Sequence, residues 1–201
     1  LKKEKIRTNH ILCDKDFHPS IALAELDDNG NSSYIFYTSG FSSKYPALPD
    51  SLLKKSSVLH TGSFFCYDDA TYDIALGFAK KAMDKGLAVF FDPNWRPSRI
   101  PSVDLARKRI YNFLKYVSFL KLSEEDALGI TGSKNLDKAL SILSRNTRAR
   151  IIVTLGERGS FNFSGGHIKC PAYRVKVADT IGAGDAFSAG LIYRYSTLGK
   201  S

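Results

Sequence analysis

Leu87-Ala-Val-Phe-Phe91, closing on Asp92-Pro93-Asn94, decides the architecture. An apolar run this short, preceded by Gly86 and ended by a polar turn, reads as a buried strand. The pattern repeats in both directions from it. Upstream, Ile74, Leu76, Phe78, Ala79 and Ala82 form the apolar stripe of a helix, and before it Val58-Leu59-His60 is a short strand ending in Thr61-Gly62-Ser63. Downstream, residues 103–116 read as helix, 117–122 as strand, and Ser123-Glu-Glu-Asp126 as a capping-box-like helix start with Asp in place of Glu or Gln. Residues 136–143 are helical, and Ile151-Ile-Val-Thr154 is a strand ending in Leu155-Gly156. Alternation of strand and helix builds an α/β fold around a parallel sheet.

The flanks differ. The first 45 or so residues read as β structure: Ile21-Ala-Leu-Ala-Glu-Leu-Asp27 runs into Asp28-Asn29-Gly30, a hairpin signal, followed by Ser33-Tyr34-Ile35-Phe36-Tyr37. Neither face of that second strand is polar, so both must be covered. Substrate on one side and a second subunit on the other would do this, as would packing on its own domain. Near the other end, residues 160–163 and 167–170 form a hairpin across Ser164-Gly165-Gly166, and a last helix opens at Gly182-Ala183-Gly184.

Composition narrows the class. The 201 residues are 43% hydrophobic and 24% charged, as in ordinary globular domains. No apolar run approaches the ~20 residues that span a bilayer, and no apolar stretch follows the charged N-terminus as a secretory signal requires. The three cysteines, Cys13, Cys66 and Cys170, show no paired spacing, which points to reduced thiols and the cytosol. Net charge is +9, with residues 1–100 holding 13 basic against 12 acidic residues and residues 101–201 holding 16 against 8. A basic half suits an anionic partner. The basic residues are scattered and carry no zinc-finger or RNA-binding motif, so a solvated helical surface comes first, a nucleotide site next, and nucleic acid well below.

In an open parallel sheet, ligands bind at the carboxyl ends of the strands. His60-Thr-Gly-Ser63, Asp92-Pro-Asn94, Leu122-Ser-Glu-Glu125 and Thr154-Leu-Gly156 would line that edge. The strongest local signal is Asp179-Thr-Ile-Gly-Ala-Gly-Asp-Ala-Phe-Ser-Ala-Gly190. Small residues at a helix start let backbone N–H groups approach an anion at the positive end of the dipole. Asp185 beside them would repel a phosphate unless the chemistry needs a carboxylate there. Phosphoryl transfer does: fixed donors at 182–185 hold the dispersed charge, and Asp185 accepts the proton of an attacking hydroxyl. A glycine-rich turn with an acid complementing the dipole is the purely structural alternative. No P-loop or dinucleotide fingerprint is present.

Asp-Thr-Ile-Gly-Ala-Gly-Asp-Ala-Phe at 179–187 resembles the C-terminal signature of the ribokinase-like (PfkB-type) carbohydrate kinases. Thr154-Leu-Gly-Glu-Arg-Gly159 resembles that family's nucleotide-binding turn, and Lys121-Leu-Ser-Glu-Glu-Asp-Ala127 is similar to its K-x-N-x-x-E segment. Asp92-Pro-Asn-Trp-Arg-Pro97, His60-Thr-Gly-Ser63 and the 34–37 strand look most like the fructokinase branch. The resemblance implies a ribokinase-like three-layer αβα core with a mostly parallel sheet (46–201) and a small β-strand lid (8–45) that also pairs subunits into a homodimer. Measured against the family pattern, the core is expected to be incomplete at both ends: the strands with the Gly-rich sugar motif and the helices flanking the base of ATP are not in this sequence.

By the same resemblance Asp185 would be the catalytic base and Gly182, Ala183 and Gly184 the anion hole. Ser123, Thr154, Gly156 and Gly159 would hold the nucleotide, and Asn94 and Arg96 the substrate. Glu125 and Asp126 would organise Mg²⁺ through water, and Asp179 would lie near a monovalent cation, K⁺. The implied reaction is ATP-dependent phosphorylation of a sugar, fructose first and 2-keto-3-deoxygluconate second. A non-catalytic nucleotide-binding protein is the alternative of another class. For Arg96 a surface salt bridge, and for Glu124 and Glu125 a dipole-complementing first turn, are the structural alternatives. His60 is expected to pack at its strand end, and Trp95 to pack within its loop or wall the pocket.

Overall fold

The computed structural model describes residues 3–11, 13, 15, 16, 18, 20–26, 32–37, 48–62, 64–166, 168–177 and 179–198. The proposed turn at 28–30, Ser63, His167 and the 45/46 domain boundary lie outside them. β1 (Ile21–Leu26) and β2 (Ser32–Tyr37) pair antiparallel as a separate two-stranded sheet, Ile21 opposite Tyr37 and Leu23 opposite Ile35. Register puts these four on one face, and all are exposed. Phe36, on the opposite face, is half-buried with the Arg99 guanidinium 4.9 Å from its ring centre.

The rest of the chain is α1 (Asp50–Leu53), β3 (Val58–Gly62), α2 (Asp69–Asp84), β4 (Ala88–Asp92), α3 (Val103–Phe113), β5 (Phe119–Ser123), α4 (Glu124–Thr131), α5 (Leu136–Asn146), β6 (Arg150–Thr154), β7 (Ser160–Asn162), β8 (Ile168–Cys170) and α6 (Ala183–Leu198). β3 to β8 form one sheet in chain order, the first four strands parallel and the last two antiparallel. Three differences from the sequence reading have local causes. α2 starts at Asp69, ahead of its apolar stripe, because Asp68 caps it by accepting from Thr71 N at 3.1 Å. β5 starts at Phe119, because Val117 N closes a turn onto Leu114 O. α1 is a single turn, too short to show a period.

Strand order equals chain order, so every crossover steps the same way across the sheet. Right-handed crossovers then place α2, α3, α4 and α5 on one face. There Leu76, Ala79, Ile110, Phe113, Ile130 and Leu140 pack with Val89, Phe91, Leu120, Leu122, Ile151 and Val153 into one core. The alternate residues of the strands face α6. On that side Phe90 and Phe119 stack at 4.3 Å, and Tyr195 of α6 meets both edge-on at 5.4 and 5.2 Å. Helices, a mostly parallel sheet and a helix make three layers, as expected.

Candidate active site

Strand pleating sends Asp92 of β4, Lys121 and Ser123 of β5, and Thr154 of β6 to the α6 face at the carboxyl edge of the sheet. Ser123 and Thr154 are register partners, side by side. Deeper in, Lys121 Nζ donates to Asp92 Oδ2 at 2.8 Å and Ser188 Oγ of α6 donates to the same oxygen at 3.1 Å. All three residues are buried. The sequence pattern puts Asp92 on this edge but gives Lys121 no place beyond a motif and Ser188 no role. Their contact spans 96 positions of chain between Asp92 and Ser188, and no local pattern reports such a distance. His60, expected to pack, is exposed beside this network.

α6 opens at this edge. Asp179 Oδ1 accepts from Ile181 N at 2.9 Å and shapes the turn, and Gly182 takes φ +78°. Ala186 N makes the first helical bond, to Gly182 O at 2.8 Å, while Ala183 N donates to Thr180 O at 3.2 Å. Among the described residues the N–H groups of Gly184 and Asp185 have no backbone partner, and they lie at the positive end of the helix. Of the 182–184 set read from sequence, the Ala183 amide is engaged, while the Gly182 and Gly184 amides have no backbone partner among the described residues. Asp185 is exposed in the first turn. A Cβ at Gly184 would lie 3.0 Å from Lys121 Nζ, so a glycine lets this turn settle onto the lysine.

Asp126 is tied into the frame. Its Oδ2 accepts from Ser123 N at 2.8 Å and its Oδ1 from Trp95 N at 2.5 Å, while Ser123 Oγ accepts from Asp126 N at 3.1 Å. The capping box read from sequence is complete, and it also latches the β4 loop to the start of α4. Burial pushes the Asp126 carboxyl above its ordinary range, against the lowering effect of those amides. Trp95 packs within the loop, edge-on to Tyr67 at 6.3 Å and against Gly129, where any Cβ would strike its indole. Asn94 before it is left-handed at φ +45°. Arg96 after it is half-buried, with Nη1 donating to Trp95 O at 3.3 Å.

Glu125 is exposed, and among the described residues no three His, Cys, Asp or Glu side chains gather to hold a metal. This donor set fits only a magnesium that arrives on nucleotide phosphates, the usual mode for that ion. Past Thr154, Gly156 opens a short 3-10 turn and Gly159 closes it against the Cys170 carbonyl. Arg158 of the turn pairs with Glu124, the first residue of α4.

A separate open cavity of about 760 Å³ lies between α2 and α3, lined by Tyr72, Lys108, Arg109 and Tyr111 among others, away from the strand ends. The motif residues gather instead at the α6 end of the sheet, and residues 1–201 match the pfkB family carbohydrate kinase pattern. The chain belongs to that family. It is 27% identical over 208 residues to "Probable fructokinase-5" of Arabidopsis thaliana, covering 100% of this chain and 62% of that one. A fructokinase from Vibrio cholerae O395, solved with fructose, ADP and calcium ion, superposes with TM-score 0.83 at 23% identity over 97% of this chain and 64% of that chain. Aminoimidazole riboside kinase from Salmonella enterica, solved with aminoimidazole riboside and an ATP analog, superposes with TM-score 0.66 at 27% identity over 70% of this chain and 48% of that chain. The PfkB chain described here thus spans less than two thirds of the length of these relatives.

Proposed function

We propose that this protein transfers the γ-phosphate of ATP to a sugar hydroxyl, with fructose as the preferred acceptor. One observation carries the reading: Asp185 and the open amides of Gly184 and Asp185 stand at the carboxyl edge of a parallel sheet, beside buried Lys121. Ser123, Thr154, Gly156 and Gly159 hold the nucleotide along the neighbouring strand ends. Asn94 and Arg96 face the sugar from the loop that Trp95 anchors. Asp185 takes the proton of the hydroxyl as its oxygen bonds to the γ-phosphorus and the bond to the departing ADP breaks. The amides hold the charge on the transferred group, and positioning supplies most of the catalysis. Glu125 and Asp126 would meet, through water, a magnesium ion that would supply charge neutralisation, and Asp179 would lie near a potassium ion.

Asp185→Asn in the protein as encoded in full is expected to lower kcat at least ~10²-fold, the usual scale for losing a general base, with ATP affinity kept. Unchanged turnover overturns the assignment. Steady-state phosphorylation of fructose against 2-keto-3-deoxygluconate sets the acceptor, and a sugar acid would place its carboxylate on Arg96. Residues 8–45 act as a lid over the sugar. Its exposed face of Ile21, Leu23, Ile35 and Tyr37 supports pairing with a second copy, so Ile35→Lys should turn a dimer into a monomer in light scattering. The free thiols support a reducing compartment, the cytosol.

A further inference from the structure

We propose that Lys121, Asp92 and Ser188 form a positioning device that fixes the rotation of α6 and so aims Asp185. The inference rests on the kinase reading above. Two points of α6, one turn apart, touch the same buried network. Gly184 sits on Lys121 Nζ, and Ser188 Oγ donates to Asp92 Oδ2, the oxygen that also receives Lys121. Points four residues apart lie on one stripe of a helix, so anchoring both sets its rotation as well as its height over the sheet. Asp185, about 100° around the axis from Gly184, is then held at the margin of that stripe.

The apolar contacts of α6 do not fix that angle as tightly. Phe187, Leu191, Ile192 and Tyr195 are only partly buried, and an apolar stripe tolerates small rotations. A hydrogen bond to a buried carboxylate does not, because it weakens steeply with misalignment. Lys121 has a second effect. With 7% of its surface exposed, it adds a fixed positive charge beside the open amides, where the transferred phosphoryl group would sit. Asp92 Oδ1 is buried without a hydrogen-bond partner among the described residues. Both donors thus converge on Oδ2, and the orientation of α6 hangs on one oxygen.

Ser188→Ala is the gentle test, since it removes the α6 link and leaves the Lys121–Asp92 pair intact. In the full protein, kcat is expected to fall on the order of 10-fold or more, the scale for displacing a reacting group by a fraction of an ångström to an ångström. KM for sugar and ATP should hold, and hydrogen exchange at the bonded amides of Ala183 and Ala186 should quicken. A folded Ser188→Ala protein with normal kcat and normal exchange overturns the device, as does a kcat loss that only tracks the unfolded fraction. Lys121→Met alone would strand a buried carboxylate, so Lys121→Met with Asp92→Asn is the second variant. It should lower kcat further and also weaken ATP binding. Asp185→Asn is measured alongside: if it leaves turnover unchanged, the base assignment falls, and amide exchange alone decides the device. Quickened exchange then keeps it and unchanged exchange removes it.

Discussion

The two faces of the central sheet are built differently. Toward α2, α3, α4 and α5 the strands present Val89, Phe91, Leu120, Leu122, Ile151 and Val153, all buried and apolar. Toward α6 the same strands present Phe90, Asp92, Phe119, Lys121, Ser123 and Thr154, apolar in the middle of the sheet and polar at its carboxyl edge. Pleating forces this division, because successive residues of a strand must face opposite ways. One face can therefore be filled for stability while the other keeps its polar residues for chemistry. Removing Phe113, fully buried on the first face, should cost ~3–5 kcal/mol as Phe113→Ala. Phe119, only partly buried on the second, should cost less as Phe119→Ala, in proportion to the smaller area it hides. Urea midpoints of the two variants check the contrast, and equal losses would break it.

The same contrast is sharpened where the faces join, at the loop from Asp92 to Arg96. Trp95 dips toward the helical core against Gly129 while Asn94 and Arg96 stay at the polar edge. Gly129→Ala must push the indole aside, and overpacking of this kind costs ~1–3 kcal/mol. Trp95 is the single tryptophan of the chain, so its emission should shift to the red in the variant. Sugar KM should rise with it if the loop carries substrate contacts. A red shift with unchanged KM would separate the anchor from the site.

Asp126 gives a comparable effect with a pH signature. Its burial raises the carboxyl pKa above the ordinary 3.8. The native state thus keeps a proton that the unfolded chain has already released, so this group's contribution is most favourable below 3.8. Stability is lost as pH rises through the raised native value. Asp126→Asn cannot accept from both Ser123 N and Trp95 N, and leaving one buried N–H unanswered costs ~1–3 kcal/mol at neutral pH. The variant should also lose the slope between acid and neutral pH that the wild type shows in unfolding midpoints. A slope unchanged by the substitution would assign the titration to another group.

Much of the helical face was legible in the sequence and much of the chemical face was not. Helix stripes such as Ile74 to Ala82, the strand at 87–91 and the Ser123 capping box are local patterns, within one window of chain. The turn at 182–185 was also local, and its place at a strand edge follows from topology. What stayed hidden was which amides are open, because the engagement of Ala183 N by Thr180 O depends on how the turn closes. The Lys121–Asp92–Ser188 contact stayed hidden for a different reason. A lysine inside an apolar strand looks like an exception to be tolerated until the helix that covers it is in place.

The smallest effect tests whether the polar edge owes its shape to surface charge. Arg158, in the turn after β6, pairs with Glu124 at the start of α4, and their side chains are 61% and 29% exposed. Screened pairs of this kind contribute ~0.2–1 kcal/mol, so Arg158→Ala should barely move the urea midpoint, and added salt should erase the difference. The turn itself is held by backbone bonds, Leu155 N to Gly159 O at 2.8 Å and Gly159 N to Gly156 O at 3.0 Å. Those bonds survive the substitution, and ATP affinity should follow them rather than the ion pair. A large loss of ATP affinity at high salt would instead give Arg158 a direct contact with the nucleotide, moving one charge of the edge from scaffold to ligand.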